Sequence, residues 1–302
     1  MFITFVNSLI VLSTCIIIGY IGRKVGVLTD NLNAGLSTFL LKIALPCTVF
    51  ISLMRPFSYA LLLESLATII ISLAVFMFGF CIGIVLARLM GASDDEKRIW
   101  QFSLMFANVG YMGFPVIYAI YGYEGLIYTT MSLFAFNILA FSLGIGMFQK
   151  GSGSIKTVLL NPVLVFTYIG FIFFVTGIRL PGNVQDGIEL IGAMTVPLSM
   201  LLVGAILAKS RLLSLITDFR LLPVIFLRLI GIPVVIFFVL RNFIPNQMML
   251  EIIVILAAMP VAAITVIFAE QYNSNTALAS KTVAVSSLLC LLSIPLISLL
   301  LY

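Results

Sequence analysis

Ala107-Asn108-Val109-Gly110-Tyr111-Met112-Gly113-Phe114-Pro115-Val116 sets an amide, two glycines and a proline in the middle of an apolar segment. Such a run cannot be an ordinary helix centre. Pro115 has no N–H and its ring clashes with the carbonyl four residues back, while Gly110 and Gly113 free the backbone without adding packing. A break or kink is expected here. At the depth of a lipid bilayer a break is tolerated only where protein or a water-filled cavity satisfies the freed backbone groups, so it points to a site. A second run of this kind, Ala257-Ala258-Met259-Pro260-Val261-Ala262-Ala263, stands at the corresponding place of the second half.

The bilayer follows from composition. Hydrophobic residues make up 62% of the 302 and charged residues 9%, against the roughly 25% charged of a soluble domain. Apolar stretches long enough to cross about 30 Å of hydrocarbon at 1.5 Å per residue recur along the chain. They lie at 2–21, 36–54, 66–89, 101–121, 125–148, 158–176, 187–208, 221–240, 250–270 and 276–301. The expected fold is an all-α integral membrane protein of ten transmembrane helices, with nothing left over for a soluble domain. Met1 is followed at once by apolar residues, without a basic region, so the first stretch reads as a retained span rather than a signal peptide.

Cys15, Cys47, Cys81 and Cys290 all lie in apolar segments without metal-site or disulfide spacing, and read as small core residues. Histidine is absent. That removes the commonest proton shuttle and metal ligand and counts against a zinc membrane protease or a haem protein. With no Ser/His/Asp grouping either, neither an enzyme nor a cofactor is expected.

The net charge of +5 is explained by the loops rather than by nucleic acid. With the N-terminus outside, the cytoplasmic loops carry Arg23, Lys24, Arg88, Lys97, Arg98, Lys150, Lys156, Lys209, Arg211, Arg220 and Lys281, and the outer loops only Arg55, Arg179 and Arg241. This positive-inside asymmetry puts both termini on the extracytoplasmic side of a cell membrane. Five spans precede the linker at 150–157 and five follow it. An odd number per half inserts residues 158–302 upside down relative to residues 1–149, which is the inverted-repeat arrangement. Internal landmarks agree: Ala44-Leu45-Pro46 in span 2 answers Thr195-Val196-Pro197 in span 7, and Pro115 in span 4 answers Pro260 in span 9.

Two breaks related by inversion meet at the centre of the membrane. Half-helices that begin at Pro115 and Pro260 would each present about half a positive charge and several orphan N–H donors there. An anionic substrate follows. Each helix end contributes about 0.3–2 kcal/mol, enough to orient a carboxylate but not to bind it alone. Side chains must supply the rest, and the candidates are Asn108, Asn137, Thr265 and Ser199. Asn108 reads a carboxylate, helps to hold a cation, or caps the interrupted helix. Asn137, Thr265 and Ser199 line the site or bond neighbouring helices, and Pro46 and Pro197 line it or kink supporting helices. Lys42, about one turn before Pro46, is either a fixed cation standing in for a coupling ion or a side chain that snorkels to the interface. Arg228, Glu270, Lys281, Glu64 and Glu251 read as charges at the membrane boundary.

These motifs resemble the auxin efflux carrier family, including its bacterial members known as malate or other carboxylate permeases. The resemblance runs over essentially the whole chain. It rests on Ala44-Leu45-Pro46, Asn108 through Pro115, Ala258-Met259-Pro260, and Ala279-Ser280-Lys281 through Ser293-Ile294-Pro295-Leu296. It implies a fold like that of the bile acid symporters, with spans 4 and 9 crossing at a central site. It further implies a scaffold of spans 1, 2, 6 and 7, a transport bundle of spans 3, 4, 5, 8, 9 and 10, a homodimer, and elevator-type alternating access to a small organic anion. The chain departs from the pattern after Pro260, where Ala262 and Ala263 stand in place of a second amide, and it lacks the long central loop of plant exporters. The expected function is secondary transport of mono- or dicarboxylates such as malate, with a proton or sodium as coupling ion. The alternatives are a sodium-coupled symporter for a bulkier anion and a receptor built on the same fold.

Overall fold

The computed structural model describes residues 2–148, 159–209 and 219–301; the linker expected at 150–157 and Arg211 lie outside the described residues. The described chain is all-helical: α1 (Phe2–Lys24), α2 (Asp30–Leu53), α3 (Tyr59–Leu89), α4 (Asp94–Met105), then the run Val109–Phe148, α7 (Pro162–Thr176), α8 (Gly182–Ala208), α9 (Leu222–Leu240), α10 (Gln247–Ala257), α11 (Ile264–Gln271) and α12 (Thr276–Leu301). Gly122, at φ 58° and ψ −151°, divides the run Val109–Phe148 into α5 (109–121) and α6 (123–148). A Cβ on Gly125 would stand 2.7 Å from the Ile117 side chain, so the chain doubles back at this corner. Among the described residues six helical stretches are long and apolar enough to cross a membrane, with α7 and α10 as shorter apolar helices.

Helix starts follow capping chemistry. Ser93 and Glu96 form a reciprocal capping box at α4, whose first turn also carries Asp94 and Asp95, favourable at the positive end of the helix dipole. Asn161 and Asn246 cap α7 and α10 by accepting the N–H groups of Val163 and Met249.

Pro260 lies in the interruption between α10 and α11, but three other prolines do not interrupt their helices. Pro46, Pro115 and Pro233 each stand just past a π turn, at Leu40–Ala44, Val109–Gly113 and Leu227–Gly231. The wider turn shifts hydrogen bonding by one residue and accommodates the missing N–H and the pyrrolidine ring, so the helix continues through the proline. The expectation that half-helices begin at Pro115 and Pro260 is corrected: a π turn carries α5 through Pro115, and Pro260 lies in the extended gap before α11. The half-helices begin at Val109 and Ile264.

Close packing relies on glycine where backbones touch. A Cβ on Gly19 would stand 2.1 Å from the Leu201 carbonyl oxygen, and one on Gly204 would stand 2.0 Å from that of Ile16, so α1 and α8 meet backbone to backbone. α2 packs on α7 and α8, and α3 lies along α4. An aromatic cluster ties the end of α4 to α6 and α11: Phe102 and Phe106, 4.6 Å apart by ring centroids, contact Phe136, Phe148 and Phe268 at 5.2 to 5.5 Å. Cys47 and Cys290 are buried, whereas Cys81 is exposed on α3, which corrects its reading as a core residue.

Candidate functional site

The chain between α4 and α5 meets the chain between α10 and α11. Each is extended for a few residues, and they pair antiparallel around Ala107 and Val261. Asn108 N–H donates to the Pro260 carbonyl at 2.8 Å, and Ala262 N–H donates to the Phe106 carbonyl at 3.1 Å. Two helical interruptions thereby satisfy part of each other's backbone, as burial demands. Val261 N–H donates to Ser286 Oγ of α12 at 3.1 Å.

The pairing and the Ser286 contact together strip α4 and α10 of their usual terminal partners. The Leu104 carbonyl would otherwise take the N–H of Asn108, and the Ala257 carbonyl that of Val261. Arg228 supplies the replacement. Its Nη1 donates to Leu104 O at 2.9 Å, Nη2 to Ala257 O at 2.8 Å and Nε to Met259 O at 3.1 Å. The side chain is 2% exposed. The reading of Arg228 as a boundary charge is corrected: the guanidinium lies inside the protein, against the carbonyl ends of two half-helices.

The opposite polarity faces a cavity of about 240 Å³. The starts of α5 and α11 both border it, through Asn108, Val109 and Gly110 on one side and Ala262, Ala263 and Ile264 on the other. The N–H groups of Gly110, Ala263 and Ile264 have no acceptor among the described residues. Asn108 caps α5 through Oδ1, which accepts from Tyr111 N–H at 3.2 Å, and its side-chain Nδ2 has no partner among the described residues. At 5% exposure, that leaves a buried donor at the cavity. Across the cavity, Asn137 Nδ2 donates to Leu133 O at 2.8 Å, and its Oδ1 accepts from Asn161 Nδ2 at 3.4 Å. Lys42 stands exposed at the rim, and the remaining wall is apolar, with Leu45, Phe136, Phe141 and Val163 among its residues.

Of the residues singled out in the sequence, Asn108, Gly110, Asn137 and Lys42 border this cavity. Gly113 instead packs against Leu256, where a Cβ would stand 2.8 Å from its Cδ2. Pro115 is buried within the start of α5, and Pro260 contributes its carbonyl to the crossing rather than a wall to the cavity. Thr265 is buried with its hydroxyl on Ala262 O at 2.6 Å, and Ser199 is buried with its hydroxyl on Val196 O at 3.0 Å; neither lines the cavity. Pro46 and Pro197 lie in α2 and α8 away from it. Asn161 was not singled out, although an Asn-Pro pair opening an apolar run is a helix-start signal.

Glu251 is buried as well. It is 4% exposed, its carboxylate receiving the Tyr121 hydroxyl at 2.5 Å and the Gln247 amide at 2.8 Å, apart from the cavity. Glu64 is half-buried and receives Tyr128 and Asn246 at 2.6 and 2.8 Å.

A family model described as "Membrane transport protein" matches residues 4–158 and again residues 152–298. Two archaeal relatives, each named an uncharacterized transporter, are similar over much of the chain. That of Methanothermobacter thermautotrophicus is 28% identical over 295 residues, covering 93% of both chains. That of Methanocaldococcus jannaschii is 28% identical over 214 residues, covering 65% of this chain and 67% of its own. The chain is a multi-pass membrane protein, and it belongs to the membrane transport protein family, the auxin efflux carrier-like transporters whose motifs its sequence carries.

Proposed function

We propose that the chain is a secondary transporter of small organic anions, mono- or dicarboxylates such as malate. The observation that carries the reading is the polarity of one cavity. The N–H groups of Gly110, Ala263 and Ile264 and the Asn108 amide, without acceptors among the described residues, meet at it, at the positive ends of two helices. A carboxylate takes such donors with no buried cation beside it, and the apolar wall suits a short carbon skeleton. The volume, below the roughly 300–1,000 Å³ of drug-sized sites, favours a small anion over a bulky one such as a bile acid.

In this reading the chain crosses a cell membrane ten times as two inverted five-span repeats, 1–149 and 158–302. Spans 4 and 9 are the pairs α4/α5 and α10/α11. A scaffold of α1, α2, α7 and α8 carries the homodimer interface, and the remaining helices move past it as an elevator. The termini are extracytoplasmic, and the cavity, bordered by Lys42, Asn161 and Pro162, faces the cytoplasmic side with the basic loops. Counterflow in liposomes tests the function. Labelled malate or another small carboxylate should enter vesicles preloaded with the same anion, and the corresponding amide should neither enter nor compete. Binding without movement would instead make the protein a receptor.

A further inference from the structure

Arg228 is 2% exposed at the π turn of α9, and among the described residues no carboxylate pairs with it. All three of its hydrogen bonds go to backbone carbonyls, Leu104 at the end of α4 and Ala257 and Met259 at the end of α10. Those carbonyls are oriented together by the crossing itself, since Asn108 and Val261 have given their N–H groups elsewhere. Each helix C-terminus carries about half a negative charge. Converging carbonyls at unwound half-helix ends are the kind of oxygen set that coordinates sodium or a proton in transporters with broken helices.

We propose that Arg228 is a built-in counter-cation, occupying with its guanidinium the place between the two half-helix C-termini that a bound monovalent cation would take, so that the crossing is complete without sodium. Two half-negative ends against one full positive charge leave the local balance near neutral, and the planar fork directs a donor at each carbonyl. A covalently attached cation cannot dissociate. The crossing therefore keeps its geometry through a transport cycle, and flux carries no sodium stoichiometry from this position. The functional consequence rests on the transporter reading, but the cation site does not.

The test is thermal unfolding of the purified full-length protein without substrate, in sodium chloride and in N-methyl-D-glucamine chloride at equal ionic strength. The wild-type Tm should be the same in both. Arg228→Ala should unfold at lower temperature in N-methyl-D-glucamine and recover by about 5 °C or more with saturating sodium or low-millimolar guanidinium. Ser286→Ala, which weakens the same crossing without opening the cation position, should respond to neither. Arg228→Lys keeps the charge with less directed donors; it should fold with a lowered Tm that sodium does not change, and it decides the matter if the alanine variant cannot be purified. A sodium-dependent rise of that size in the wild type or in Arg228→Lys, or an Arg228→Ala variant indifferent to both cations, would overturn the proposal. These readings involve no flux, so a failed liposome assay would count against transport and leave the cation position standing.

Discussion

Asn108 and Pro260, from opposite halves of the chain, are joined by a backbone hydrogen bond of 2.8 Å from the N–H of the first to the carbonyl of the second. The same asparagine caps α5 through Oδ1 and borders the cavity, its Nδ2 without a partner among the described residues. One residue thus ties the crossing together and, in the proposed function, meets the anion. A change at either interruption is felt at the other, because the paired segments share their hydrogen bonds.

The two roles of Asn108 can be separated by substitution. Asn108→Asp keeps a capping oxygen for Tyr111 N–H but replaces the amide donor with an acceptor and, when ionised, a negative charge. It should fold with wild-type thermal stability and lose carboxylate flux at least about tenfold, the consequence of removing a hydrogen bond to a charged group worth about 1.5–3 kcal/mol. Asn108→Ala should lose flux as well and also about 0.5–2 kcal/mol of stability with the cap. Wild-type flux in Asn108→Asp would remove the side-chain donor from the binding role.

In the proposed function Lys42 acts from the rim rather than the cavity floor. Because it is exposed, its charge is screened by salt, and its contribution is to attract the anion. Lys42→Gln should raise KM by a few-fold with little change in kcat, and the difference from wild type should shrink as ionic strength rises. A salt-independent loss of kcat would mean that Lys42 takes part in a step after binding.

Ser286 gives the second interruption its external anchor. Ser286→Ala leaves the buried N–H of Val261 without an acceptor and should cost about 1–3 kcal/mol, read as a lower Tm. Ser286→Thr, which retains the hydroxyl, should recover part of it. An unchanged Tm in the alanine variant would show that Val261 N–H finds another partner.

Gly204 makes a different demand. Its missing side chain lets α8 lie directly on the backbone of α1, where a Cβ would come within 2.0 Å of the Ile16 carbonyl oxygen. Gly204→Leu must push the helices apart. About 1–3 kcal/mol or more of destabilisation is expected, measured by unfolding in detergent. Gly182→Leu should be neutral by comparison, since nothing lies within 4 Å of a Cβ there.

The sequence carried the helical class and the neighbourhood of both interruptions, because length, apolar content and paired glycine and proline are local signals. It misplaced the starts of the half-helices. Proline excludes one hydrogen bond but does not say whether the helix ends or absorbs the loss in a π turn, as at Val109–Gly113 before Pro115. Which polar side chains meet the cavity was also hidden. Helices that are apolar on all sides carry no stripe to orient them, so Thr265 and Ser199 looked as suitable as Asn137 and turned elsewhere. Arg228 was the clearest signal passed over. A charge well inside an apolar span is costly, and an interior partner is the default explanation.

If the backbone at the starts of α5 and α11 binds the anion, its own amides report the binding. With 15N-labelled protein in nanodiscs, titration with malate should move the Gly110, Ala263 and Ile264 amide resonances with a common saturation curve, and an equal concentration of the uncharged diamide should leave them in place. Amides that stay fixed while the same preparation transports the carboxylate would place the anion somewhere other than these helix starts.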